Sequence, residues 1–156
     1  MEDMMLHSQF ISELYCDTYG QVKSATTGID HSHSLLEIAP GINCLNWIVG
    51  HIVVARCNFL MFLDVPSIWG LEQIRRFVPG STPGLDLDDA LPFAQLLADL
   101  DRSQEQLTTA LVLATPATLT ATIQDKSIAE HLAFYAAHEA FHTGQIELIR
   151  RLLDNR

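Results

Sequence analysis

The run from Leu45 to Leu63 limits what this chain can become more than any other stretch. It is long enough to cross a membrane, yet Asn46, His51, Arg56 and Asn58 interrupt it. Ile48, His51, Ile52, Ala55 and Phe59 recur at i, i+3, i+4, i+7 and i+11, the spacing of one helix face. The segment therefore reads as a buried core helix, opening near Asn43 as N-cap and closing near Asp64, before Pro66. It carries an imidazole, His51, inside its apolar stripe. Gly50, just before it, leaves room for a close approach.

Three other segments share the helical period. The first runs from about Met4 to Ala25, with Leu6, Phe10, Leu14 and Cys16 read as its apolar side. The third opens in the acidic turn Asp86-Leu87-Asp88-Asp89, the sign that suits a helix start, and ends at Ala114 before Pro116. Pro92 falls in or just after that first turn, where its missing N–H costs least. Leu96, Leu97, Leu100, Leu107, Leu111 and Leu113 form its apolar side. The fourth begins at Ser127, where Ser127 and Glu130 fit a capping box, and runs to about Leu153 with Arg150 and Arg151 in its last turns. Between the second and third lies a long connection, residues 66–83, with room for one short helix over residues 71–77. Thr118 to Ile123 alternates like a short extended piece or hairpin arm. Four helices with at most a scrap of strand predict an all-α chain, a four-helix bundle, with residues 1–156 as a single domain.

Charge narrows the partners. Nineteen Asp and Glu face nine Lys and Arg, a net −10. Phosphate backbones and anionic membranes both want a basic face, so neither nucleic acid nor membrane is expected. Residues 1–10 carry Glu2, Asp3 and His7 and show no apolar run, so no signal peptide is expected. Cys16, Cys44 and Cys57 form no CxxC pair and read as small buried hydrophobes in a reducing compartment. The expected location is cytoplasmic.

The histidines carry the chemistry. His138 and His142 are four apart on the fourth helix, which places the two rings about 40° apart on one face, within reach of one metal ion. His51 is the obvious third donor. An unpaired ring in its stripe would cost on the order of 1–3 kcal/mol, avoided either by metal ligation or by a hydrogen bond to a neighbouring group. His131 shares the face but lies about 10 Å along the axis from His138, too far for the same ion, and reads as solvated or capping. Gln145, one turn beyond His142, could orient a ligand or a water. Trp47, beside His51, reads as core packing.

His138-Glu139-Ala140-Phe141-His142 matches HExxH literally. A zinc protease is rejected because Gly144 stands two residues after His142 rather than three and Leu148 stands where a third histidine belongs. Strong strands to hold a peptide are lacking. Glu139 lies about 100° round the helix from His138 and reads as a supporting or surface group, not a base.

Two blocks resemble a known family. Asn46-Trp47-Ile48-Val49-Gly50-His51 is similar to the second-helix signature of the DinB/YfiT-like family. His138-Glu139-Ala140-Phe141-His142-Thr143-Gly144-Gln145-Ile146 is similar to its last-helix signature, and the long loop and the double arginine fit its layout. The resemblance implies a four-helix bundle with a long crossover between helices 2 and 3. It implies a divalent metal on His51, His138 and His142, and often a homodimer; by their own chemistry three imidazoles suit Zn, Ni, Cu or Fe, with Zn or Ni expected first and Fe after them. Characterised relatives include transferases that use a low-molecular-weight thiol as co-substrate. The expected function is therefore a metal-dependent S-transferase acting on small electrophiles. The alternatives are a metal-dependent hydrolase of a small substrate and a non-catalytic, stress-associated metal-binding bundle.

Overall fold

The computed structural model describes residues 2–83 and 87–155, with side chains from residue 8 onward. In chain order the elements are α1 (Glu2–Thr26), α2 (His31–Ser34), α3 (Leu45–Leu60), α4 (Leu71–Arg76), α5 (Phe93–Leu113), α6 (Pro116–Thr120), β1 (Thr122–Ile123), β2 (Lys126–Ser127) and α7 (Ile128–Asp154). A single 3-10 turn, Met61–Leu63, extends α3. The chain is mostly helical. The four long helices form a ring of contacts: α1 packs on α7 and α5, and α3 packs on α5 and α7.

The apolar run ends up as expected. Every α3 residue except Asn58 is buried, so a helix apolar enough for a membrane is instead enclosed within the protein, packed on α5 and α7. Its N-cap is Cys44, which makes no side-chain capping bond, so Asn43 does not fill that role.

Helix α1 buries Ile11, Tyr15, Thr18, Val22 and Ala25, not the stripe Phe10, Leu14 and Cys16. Both stripes obey the helical period. The buried one wins because its polar atoms find partners inside: Tyr15 donates to the Leu132 carbonyl at 2.9 Å and Thr18 to Glu139 at 2.6 Å. Phe10 and Cys16 are exposed, and the Leu6 side chain lies outside the described residues. Cys44 and Cys57 are buried and free.

Helix α5 starts at Phe93 with Pro92 as its N-cap, later than the acidic turn suggested. A proline pushes the residue before it out of the helical region, so Leu91 cannot continue a helix through Pro92. Asp86 lies outside the described residues. Asp89 serves another purpose, accepting from Arg76 at 3.0 Å and so tying the end of the connection to α4. Of the expected apolar side of α5, Leu113 is exposed at the last position.

Thr118 to Ile123 divides. Pro116 opens α6 at its first turn, where it loses no bond, with Thr115 capping Thr118. The remainder, β1, pairs antiparallel with β2 in a two-stranded hairpin. His131 Nε2 lies 3.1 Å from the Ile123 carbonyl, so this ring caps the hairpin. The capping box at Ser127 is complete, with bonds in both directions to Glu130.

The interior has two apolar clusters. One gathers Val22, Ile48, Ile52, Trp69, Phe77 and Ile146, the other Tyr15, Phe59, Leu107, Leu111 and Leu132. Near where each long helix passes from one cluster to the other it buries a polar residue of one network: Thr18, Arg56, Ser103 and Glu139.

Candidate metal centre

The Asn46–His51 block makes one site because all of its distinctive residues face the long connection after α3. Asn46 donates to the Leu91 carbonyl at 2.9 Å, and Trp47 donates to Ser81 Oγ at 2.9 Å. Gly50 lies against the Phe77 ring so closely that a Cβ there would overlap it. The glycine therefore admits the loop to the helix surface, and the Phe77 carbonyl arrives 2.7 Å from His51 Nδ1. A carbonyl only accepts, so Nδ1 carries the proton and Nε2 presents its lone pair. Trp47 is buried, as core packing required, and also stacks on His51 at 4.8 Å and 11°. It thus holds the ring plane.

Helix α7 supplies the other two rings. His142 Nδ1 lies 2.7 Å from Gln145 Oε1, an acceptor, so His142 also presents its Nε2 lone pair. Burial, and then the adjacent His138 and His51, push the His142 pKa down to about 4, against the pull of the Gln145 bond. Burial followed by His51 lowers that of His138 too. Both rings are neutral at neutral pH, the state in which imidazole donates to a metal.

The three Nε2 atoms meet. His138 Nε2 lies 3.3 Å from His51 Nε2 and 3.2 Å from His142 Nε2, and candidate donor atoms of all three lie within 4.8 Å of one another. Tetrahedral donors held ~2.0–2.1 Å from zinc stand about 3.3–3.4 Å apart. The Phe77 and Gln145 bonds aim two lone pairs at one spot, where His138 can donate a proton to only one of them. His138 Nδ1 is buried without a partner among the described residues, so nothing in the fold fixes that ring's tautomer. A cation at the convergence answers all three lone pairs at once. His51 and His142 are buried while His138 is partly exposed, which leaves one side open. The donor set thus fits a divalent metal ion.

Glu139 points elsewhere. Its carboxylate takes two bonds from Arg56, at 2.8 Å from Nε and 2.7 Å from Nη2, and a third from Thr18. Both side chains are at most 2% exposed. With its oxygens committed inside the bundle, Glu139 is neither a surface group nor a base for a protease-like reaction. Arg56 Nη1 reaches Ser103 Oγ at 3.1 Å, so the pair draws on all four long helices. The sequence reading missed this role of Arg56. A cation in the middle of an apolar helix was the available signal, because such a charge must be paired. It also missed Phe77, which acts through its backbone carbonyl and so has no side-chain signature.

No curated protein matches the chain. A family model, that of the DinB superfamily, matches residues 28–146, which include His51, His138, His142 and Gln145. With over half its length matched, the chain belongs to the DinB superfamily.

Proposed function

We propose that the ring of four long helices is a crossover four-helix bundle whose three histidines hold one divalent metal ion, and that the protein transfers a low-molecular-weight thiol to small electrophiles in the cytoplasm. The observation that carries the metal is the convergence of three Nε2 atoms. Zn or Ni suits three neutral imidazoles best, with Fe also compatible. Such an ion supplies Lewis acidity that lowers the pKa of a thiol, or of a water, placed against it.

The chain's own residues do the positioning. His51, His138 and His142 bind, the Phe77 carbonyl and Gln145 fix two tautomers, and Trp47 holds a ring plane. In transfer, the thiol gives its proton to solvent, its sulfur bonds to the electrophilic carbon, and the leaving group departs with its electron pair. Free cysteines and strong negative charge suit a reducing compartment without nucleic acid or membrane partners. A second reading, hydrolysis of a small substrate, is favoured by the same donor set, since three histidines are also the set that activates water in zinc enzymes.

The test is elemental analysis of untagged protein beside His138→Ala. The expected outcome is about one divalent ion per native chain and near none in the variant. Loaded protein is then offered a halogenated aromatic with and without thiol, and an ester without thiol. Thiol-dependent loss of the aromatic supports transfer; ester turnover alone supports the hydrolase. Bound metal with neither activity leaves a non-catalytic metal-binding bundle. Native protein that takes up no Zn or Ni ends the metal reading.

A further inference from the structure

One buried carboxylate belongs neither to the histidine cluster nor to the polar layer. Asp99, on α5, is buried. Its Oδ2 accepts from the Trp69 indole N–H at 2.8 Å, a bond in the interior. Its Oδ1 lies 3.4 Å from Arg102, whose side chain is 60% exposed, so a solvated cation offsets little of the charge. A carboxylate in the interior is costly unless strong bonds answer it. An apolar side chain at this position would pack without that cost. What the carboxylate adds is an acceptor for Trp69.

Trp69 is placed to matter. Trp69 and Phe77 bracket α4, and their rings meet at 5.5 Å and 32°. Helix α4 itself buries no residue, so these two buried rings anchor that part of the long connection. Ser67 fixes the turn before Trp69, donating to the Trp69 carbonyl at 2.8 Å and accepting from its N–H at 3.2 Å. On the α3 side the Phe77 ring lies against Gly50, and the Phe77 carbonyl meets His51 Nδ1 at 2.7 Å. Direct contacts thus run from α5 to the histidine cluster through Asp99, Trp69, Phe77 and His51.

We infer that Asp99 is a positioning residue for His51, acting through Trp69 and Phe77 to keep the ring proton on Nδ1 and the lone pair on Nε2. Without the carboxylate the indole N–H is buried with no acceptor, so Trp69 must turn toward water or another partner. Phe77 then loses the ring that packs on it. A shift on the order of 1 Å takes its carbonyl out of hydrogen-bond range of Nδ1. His51 without that acceptor is free to carry its proton on Nε2, the atom that the cluster needs bare. Asparagine at this position would still accept from the indole, so the role asks for an acceptor and not for charge. The inference deepens the metal reading and rests on it for its purpose, but the tautomer of His51 exists with or without an ion.

The test is nitrogen-15 NMR of the His51 ring in metal-free, untagged full-length protein at neutral pH. The variants are Asp99→Leu, Asp99→Asn and, as control, Asp101→Ala, which removes another α5 carboxylate, one bonded to Tyr19 and Lys23. The expected result is a ring protonated on Nδ1 in the native protein, in Asp99→Asn and in the control, and a mixture of the two neutral forms in Asp99→Leu. Zinc affinity, read by competition with a chelator, should fall about 10-fold in Asp99→Leu alone. Should Asp99→Leu fold poorly, Trp69→Phe, which keeps a ring and lacks the N–H, replaces it with the same expected signal. A His51 ring that stays protonated on Nδ1 in Asp99→Leu or Trp69→Phe overturns the inference and leaves Asp99 a support of the connection alone. So does a native ring that is not protonated on Nδ1. Ring signals that change as expected in a protein that takes up no zinc uphold the positioning role and end the metal reading.

Discussion

Gly50 shows how one missing side chain builds a site. Its hydrogen lets the Phe77 ring lie on α3, and that approach brings the Phe77 carbonyl to His51. Gly50→Ala forces the ring or the loop to move, an overpacking cost of about 1–3 kcal/mol. The expected outcome in chemical denaturation is a midpoint shift of that size, accompanied by weaker metal uptake as His51 loses its acceptor. Unchanged uptake would mean that the Phe77 bond does not govern His51. Gln145 holds the His142 ring through a hydrogen bond to Nδ1. Gln145→Ala should lower metal affinity about 10–100-fold, the usual effect of removing a bond that orients a ligand. Competition with a chelator measures this, and the thermal midpoint should stay near the native value. Affinity equal to the native protein's would remove Gln145 from the site. Both residues were within reach of the sequence to different degrees. The position of Gln145 one turn after His142 gave it away, whereas the service of Gly50 to Phe77 needed the fold, because the two are far apart in the chain.

Among the elements, α7 is the one whose start is best defended. Ser127 and Glu130 bond reciprocally ahead of the helix that carries two of the three histidines. Ser127→Ala should cost about 1 kcal/mol, the usual loss of a cap, read from urea unfolding; a cost near zero would leave the cap idle. The Ser127 side-chain and backbone bonds hold the Glu130 carboxyl below its ordinary pKa. A depressed folded pKa means that the unfolded chain binds the proton more readily. The stabilisation is therefore present above the unfolded carboxylate pKa and lost as pH falls through the folded value. Stability against pH for the native protein and Glu130→Gln should converge on the acid side; parallel curves would contradict it. The ends of α7 were legible because capping is local chemistry. The start of α5 was not: acids mark a helix start only where the backbone can turn, and Pro92 delays it until Phe93. The first stripe chosen for α1 failed for a related reason. Two faces obeyed the same period, and the partners of Tyr15 and Thr18, which decide between them, lie on α7.

At the scale of the molecule, the Arg56–Glu139 pair joins the ring of helices. Thr18, Arg56, Ser103 and Glu139 come one from each long helix and close a polar layer between two apolar clusters. Removing one partner strands a charge in the interior, so Glu139→Ala should cost about 3–5 kcal/mol. Replacing both, Arg56→Met with Glu139→Leu, should recover most of that loss. A double-mutant cycle in denaturant reads the coupling; additive losses would show that the two residues act independently. If the layer also sets the rotation of α7, the double variant should fold yet bind metal more weakly, since His138 is next to Glu139 in the chain.

The sequence alone determined the helical class, the burial of the Leu45–Leu60 helix, the cap of α7 and the shared face of His138 and His142. Each of these rests on period, capping or spacing, which act within a few turns of chain. Only the tertiary structure decided that His51 meets His138 across 87 residues, that the long connection supplies its acceptor, and that Glu139 serves Arg56 instead of the histidines. Those outcomes depend on which buried polar atoms find partners when distant helices close on one another, and a dry interior leaves few of them unpaired.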